Sequence, residues 1–359
     1  MPGREVAPGR EVVPGRDGRA TLATVAASAG VSVATVSKVL NGRNDVAPAT
    51  RALIESLLDE HEYVARRADP AARGTGGAPS TVELVFHGPL TAYCMEVLRG
   101  VLDAGEQASI TVAVSARERG EHNGRGHPAA WARGLASAGR QAVIAVVNEL
   151  TAAELGALSR VGLPLVVIDP LNLPRAQVTS VGSTNFAGGL AATEHLLSLG
   201  HRRIGYIGGP AAAACNQARM HGYRAALEAA GVRVPKAYLR HGHFRYQDGL
   251  DEGSALLDLP QAPTSVFAGN DETAAGVIEA ARARGLRVPE ELSVVGFDDT
   301  HVARLASPPL TTVRQPLREM GSVALRTAIR LATGERLESH HVELATALVV
   351  RGSTAPPPG

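Results

Sequence analysis

From Thr21 to about Tyr63 the apolar residues recur at intervals of three and four in three short blocks, "TLATVAASAG", "VSVATVSKVLNG" and "PATRALIESLLDEHEY". In the last block Leu53, Ile54, Leu57 and Leu58 mark one face, so each block predicts a short amphipathic helix. After Ser80 the rhythm changes to compact apolar runs: "TVELVFH", "ITVAVS", "QAVIAVV", "LPLVVID", "RRIGYIGG", "TSVFAGN" and "LSVVGFDD". Amphipathic stretches such as "GLAATEHLLSLG" separate them. Strands apolar on both faces need helices on both sides, so the alternation predicts β-α-β units and parallel, doubly wound sheets. There are enough units for two lobes. Ligands of such sheets bind beyond the carboxyl ends of the strands, so the polar residues closing each run are the place to look for a site.

Polar, conformationally loose segments flank the helical block. Residues 1–19, an imperfect "PGREV" repeat, cannot bury enough surface to offset their ordering entropy and predict a disordered lead-in. Residues 65–80, with "RRADPAARGTGGAPS", read as a hinge or linker. The expected organisation is therefore a helical domain over 20–64, an α/β core over 81–352 and a tail over 353–359.

Composition narrows the chemistry. A chain of 359 residues with 45% hydrophobic and 20% charged positions predicts two or three units with sizeable cores, and its net charge of +1 names no partner. The two cysteines, Cys94 and Cys215, form no C-x-x-C, so neither a disulfide framework nor a zinc site is expected. His241, His243 and the pair His340–His341 lack further ligands nearby. No metal and no cofactor are expected. No apolar run is long enough for a membrane span and the first residues lack the apolar centre of a secretory signal, so the expected location is the cytoplasm, with no membrane partner. P-loop, nucleophile-elbow and H-E-x-x-H motifs are absent, which argues against the common enzyme classes.

The stretch "VAASAGVSVATVSKVLNG" fits a helix-turn-helix. Ala26 is small where two helices cross, Gly30 suits a left-handed turn, Val36 points into the shared core, and Thr21 and Ser32 are placed to cap the two helices. The second helix would then present Val33, Ala34, Thr35, Ser37 and Lys38 to a major groove. Hydroxyls and amides hold phosphates, Lys38 adds a charge contact, and Val33 and Ala34 pack on thymine methyls.

These residues, with "ATEHLLSLGHRRIGYIGGP", "SVFAGNDETAAGVIEAARARGLRVPEELSVVGFDD" and "SPPLTTVRQP", resemble the LacI/GalR family of bacterial transcription regulators over roughly Thr21 to Val350. The resemblance implies an all-α helix-turn-helix headpiece followed by a periplasmic-binding-protein-like α/β core of two lobes. These are expected at about 81–182 plus 312–340 and about 183–311 plus 341–352. It implies a homodimer on a pseudo-palindromic operator. Thr21 and Leu22 would start the first helix, Val33 and Ala34 read bases, and Thr35, Ser37, Asn41 and Thr50 touch phosphates or the groove edge. A family hinge helix is in doubt, because Pro70 falls inside it and Ala72 stands in the register of its leucine wedge. Arg66 and Arg67 would instead meet a narrowed minor groove, or simply form a solvated basic linker.

The same resemblance implies a small effector between the lobes. Matching motifs place Asp169, Arg219, Phe244, Asn270, Asp298 and Gln315 around it, with Tyr93, Asn148 and Asn185 as weaker candidates. Carboxylates accept vicinal hydroxyls, a guanidinium forks to two oxygens and an aromatic ring stacks on a pyranose face, so a mono- or oligosaccharide is expected. Asp271 and Asp299 are expected to cap the helices that follow them. The expected function is a sugar-responsive repressor of carbohydrate-utilisation genes. A solute-binding protein without DNA regulation and a purine-type corepressor-dependent regulator stay open as alternatives.

Overall fold

A computed structural model describes residues 21–40, 46–60, 80–117, 127–147, 150–170 and 178–358. They fall into two compact units, one within 1–77, 124–140 and 151–163, the other within 78–123, 141–150 and 164–359.

In the first unit, helices α1 (Leu22–Ala29), α2 (Val33–Leu40) and α3 (Pro48–Glu60) enclose a core of Val25, Ala26, Val36, Val39, Ile54 and Leu58. Thr21 caps α1 by accepting the Thr24 amide at 3.3 Å, and Ser32 accepts the Thr35 amide at 3.1 Å at the start of α2. Between them Gly30 takes φ 64°, a left-handed conformation that a side chain would strain, and Val31 bonds back to the Ala26 carbonyl. The axes of α1 and α2 meet at 101°, within the range of a helix-turn-helix. This unit also holds α5 (Pro128–Ser137) and α6 (Ala152–Arg160), which pack on each other.

The second unit contains two six-stranded sheets. The first runs β11 (His341–Leu344), β5 (Thr179–Ser183), β4 (Leu165–Ile168), β3 (Arg140–Val146), β1 (Thr81–His87), β2 (Thr111–Arg117) across its width. Its registered pairs are parallel. Helices α4 (Ala92–Gln107) and α12 (Leu317–Ala332) cover it, burying Val97, Val101, Met320 and Leu325 against Leu84, Phe86, Ile144 and Ile168.

The second sheet runs β12 (Ala347–Val349), β10 (Thr311–Arg314), β9 (Ser293–Asp298), β8 (Ser265–Ala268), β6 (Ile204–Gly208), β7 (Leu239–His241), with only β12 antiparallel among its registered pairs. Successive side chains on a strand face opposite sides, and here the two sides carry separate cores. Val266 and Val294 pack with α9 (Tyr246–Leu257) and α10 (Asp271–Arg282); Phe267, Val295 and Phe297 pack with α7 (Asn185–Ser198) and α8 (Ala214–Ala229). The short α11 (His301–Leu305) follows β9.

The chain passes between the lobes three times, at Thr184, at Gln315–Pro316 and at Ala345–Thr346. This corrects the expected lobe limits. β10 belongs to the second lobe and β11 to the first, because β11 extends the first sheet beside β5 before the chain returns as β12. Residues 353–358 are not a separate tail. Ser353 is fully buried, accepting the Thr311 amide and donating to the Val294 carbonyl, and the Ala355 carbonyl meets buried His201. Among the described residues no single helix is long and apolar enough to cross a membrane.

Candidate functional site

Helix α2 carries five of the residues expected to face DNA. Val33, Ala34 and Lys38 are exposed, while Thr35 and Ser37 are half-buried, Thr35 sharing a 2.8 Å hydroxyl contact with Ser32. Thr21 is exposed at the start of α1, Leu22 packs partly against the headpiece core, and Thr50 lies half-buried in the first turn of α3. Asn41, Arg66, Arg67 and the hinge stretch with Pro70 and Ala72 lie outside the described residues.

Within the second unit a cavity of about 700 Å³ opens between the carboxyl ends of the two sheets. Tyr93, Asp169, Arg219, Phe244, Asn270 and Asp298 all line it. Non-glycine residues rarely take positive φ, and among the described residues six do: Ser109, Val147, Asp169, Phe244, Asp298 and Asp299. Four of these line the cavity and Asp299 adjoins one of them. Backbone held in this region where strands end is characteristic of ligand sites.

Arg219 is 4% exposed at the centre. Its Nε donates to Asn185 Oδ1 at 2.8 Å and its Nη1 to the Gly269 carbonyl at 2.6 Å, while the guanidinium carbon sits 3.8 Å from the centre of the Phe297 ring and 5.6 Å from that of Phe244. A desolvated cation over an aromatic face contributes about 2 kcal/mol, and with two carbonyl acceptors this fixes the fork. Asp298 Oδ1 lies 3.9 Å from Nη1. Burial pushes the Asp298 carboxyl well up; Arg219 opposes the shift and Asp271 reinforces it. Burial also raises Asp169, against the 2.6 Å bond it accepts from the Tyr93 hydroxyl and the pull of Arg219. These carboxyls have lost water and gained few donors, and a ligand's hydroxyl groups can restore them.

Phe244 owes its setting to Asp248, whose Oδ2 accepts the amides of His243 and Arg245 on either side of it, at 2.6 and 2.9 Å. Asn270 is committed on both ends. Its Oδ1 caps α10 through the Thr273 amide and its Nδ2 donates to the Phe244 carbonyl, both at 2.9 Å, so it shapes the wall rather than offering a free amide. Gln315 does not line this cavity. It is buried at a crossing, accepting from Ser183 Oγ at 2.5 Å and donating to Asp298 Oδ1 at 2.6 Å. Asn185 is likewise spent on Arg219, and Asn148 lies outside the described residues. The two expected helix caps are corrected. Asn270 and Thr300 hold the N-cap positions; Asp271 accepts from Thr300 and Thr312, and Asp299 pairs with Arg314 and Arg351.

Sequence reasoning did not assign Leu90, Thr91, Val147 or Pro210 to the wall; being apolar or small, they carry no chemical signal. Cys94 and Cys215 line it too, and burial raises both thiols, Cys215 to about 11, so neither is a thiolate at neutral pH. Among the described residues no group of three or more His, Cys, Asp or Glu is placed to hold a metal ion.

Residues 21–65 match the family described as bacterial regulatory proteins, lacI family, and residues 193–354 match a periplasmic binding protein-like domain. The chain is 31% identical over 346 residues to the HTH-type transcriptional regulator DegA of Bacillus subtilis (strain 168), covering 94% of this chain and 99% of that one. It is 36% identical over 344 residues to the HTH-type transcriptional regulator CelR of Thermobifida fusca, covering 93% and 98%. Among solved structures it resembles a transcriptional regulator CelR–cellobiose complex (TM-score 0.71, 34% identity, 93% of this chain and 100% of that chain). It also resembles a lac repressor dimer bound to operator and the anti-inducer ONPF (TM-score 0.67, 25% identity, 94% and 99%). With a helix-turn-helix headpiece and a two-lobed core of this kind, the chain belongs to the LacI family of bacterial regulatory proteins, DNA-binding transcription regulators and not enzymes.

Proposed function

We propose that this chain is a repressor of carbohydrate-utilisation genes. It acts as a homodimer on a two-fold symmetric operator and is controlled by a mono- or oligosaccharide bound in the cleft. The observation that carries the reading is the constellation of Asp169, Arg219 and Asp298 with the Phe244 ring in one cavity. Two desolvated carboxyls and a fixed guanidinium fork suit vicinal hydroxyls, and the ring suits the apolar face of a pyranose. About 700 Å³ is ample for a disaccharide, being within the roughly 300–1,000 Å³ of small-molecule sites. The CelR–cellobiose complex supports the same class of ligand.

On the DNA side, Val33 and Ala34 read base edges while Thr21, Thr35, Ser37, Lys38 and Thr50 contact phosphates. Asn41, Arg66 and Arg67 extend that footprint. Two copies of the headpiece read two half-sites, as the operator-bound lac repressor dimer suggests. Effector binding changes the angle between the lobes and so the affinity for two half-sites at once.

The test is thermal shift of the full chain against a panel of mono- and oligosaccharides and purine bases. A sugar that raises Tm in the native chain and not in Arg219→Ala supports the reading. A purine hit would favour a corepressor instead, and a sugar hit that survives Arg219→Ala would place the effector elsewhere.

A further inference from the structure

Glu272, the second residue of α10 in the second lobe, reaches across the cleft. Its Oε1 accepts the backbone amide of Ala92, the first residue of α4 in the first lobe, at 2.9 Å and 180 residues away in sequence. Neither residue lines the cavity, although Thr91 and Cys94 on either side of the contact do. The bond therefore flanks the ligand space without entering it.

Its placement has a physical reason. The first amides of a helix have no partner within it, and the peptide dipoles leave about half a positive charge there. At α4 the Cys94 amide is served by Thr91 Oγ1, and the Ala92 amide by Glu272. At α10 the Thr273 amide is served by Asn270. Two positive helix ends thus approach from opposite lobes, and the carboxylate that separates them belongs to one and bonds the other.

The contacts at the crossings behave differently. Ser183 with Gln315, and Thr184 with Thr346, join segments that pass between the lobes side by side, so they can persist as the lobes turn about them. The Glu272–Ala92 bond joins elements that no crossing holds together, and opening the cleft must break it.

We infer that Glu272 is a closure latch: a positioning residue that sets how much of the population is closed, and through it the affinity for effector, without touching the effector. The inference rests on the reading that the cleft takes an effector. With the latch removed the open state gains population, and apparent affinity falls in proportion to the closed fraction.

Hydrogen exchange on the full chain tests this without a ligand. In Glu272→Ala, amides at the start of α4 (88–97) and in the Phe244 loop on the facing wall (241–248) should exchange about tenfold faster, as expected for losing a hydrogen bond to a charged group. Glu272→Gln, which keeps an acceptor and loses the charge, should fall between. Faster exchange confined to 88–97, or none, would make Glu272 a local helix cap and overturn the latch. Calorimetry with cellobiose as the probe gives a second arm. Closed and open fractions sum to one, so where exchange at 241–248 rises the full tenfold, cellobiose affinity should fall by less than about twofold, with Tm within a few degrees of the native chain. A tenfold loss of affinity beside tenfold faster exchange would place Glu272 in the effector site and contradict the latch. Should cellobiose bind none of the three proteins, the loss falls on the sugar reading, and the exchange result alone decides the latch.

Discussion

At the scale of single residues, Arg219 shows how burial and chemistry are combined. Its Nε and Nη1 are spent on Asn185 and Gly269, which orient the fork, and Phe297 replaces the water the cation gave up. A lysine keeps the charge but loses the fork. Arg219→Lys should weaken effector binding about a hundredfold by calorimetry, two charge-assisted hydrogen bonds being lost, while DNA affinity without effector stays within about twofold. Asp271 offers a pH test. Burial raises its carboxyl to about 7, far above the usual carboxylate range, with Thr312 and Thr300 opposing. In the folded state it keeps its proton to higher pH than in the unfolded chain. Its contribution to stability is thus fully present below about pH 4 and is lost as pH rises towards 7. The native chain should lose Tm between about pH 4 and 7 more steeply than Asp271→Asn; parallel curves would contradict the raised carboxyl.

Asp169, Asn270 and Asp298 were legible in the sequence because they stand at the close of apolar runs, whereas Arg219, within α8, came from the family motif; six of the nine effector candidates line one cavity. What Gln315 and Asn270 bond to was not legible. Whether a polar group faces ligand space or its own backbone depends on contacts such as Ser183 to Gln315, 132 residues apart.

Among elements, helix pairs set the geometry behind the site. A side chain at Gly189 on α7 would place its Cβ 2.2 Å from the Arg219 carbonyl oxygen on α8, so only glycine allows this crossing. Gly189→Ala should destabilise the core by about 1–3 kcal/mol in denaturant unfolding, as overpacking does, and weaken effector binding because Arg219 must move. In the headpiece, Ser32→Ala removes the cap of α2 and should cost about 1 kcal/mol, read as increased exchange confined to 22–40. The headpiece helices were legible from their periodicity and caps, and the longer strands from their apolar runs. β5, β7 and β10–β12 were not, since they have three to five residues each and most carry too few apolar positions to show a period.

For the whole molecule, the path between lobes was the least legible feature. Three short crossings separate β5 from α7, β10 from α12 and β11 from β12, and no composition shift marks them, because both lobes are built from the same kind of unit. Sheet pairing decides which lobe owns β10 and β11, and pairing is non-local. These crossings also frame the response, since any turn of one lobe against the other must pass through Gln315, which bonds Asp298 in the cleft wall. By thermodynamic linkage, effector and operator must alter each other's affinity by the same factor.

The central claim, that a ligand in this cleft controls DNA binding, is tested most directly by fluorescence anisotropy on a duplex selected by the native chain from a random pool. The titration is run with and without a saturating sugar from the thermal-shift panel, and repeated with Arg219→Ala. The account predicts a two-fold symmetric duplex whose affinity the sugar changes by about 5–150-fold, the usual span of allosteric coupling, with no effect in Arg219→Ala. Affinity unchanged by the bound sugar, or changed equally in Arg219→Ala, would contradict it.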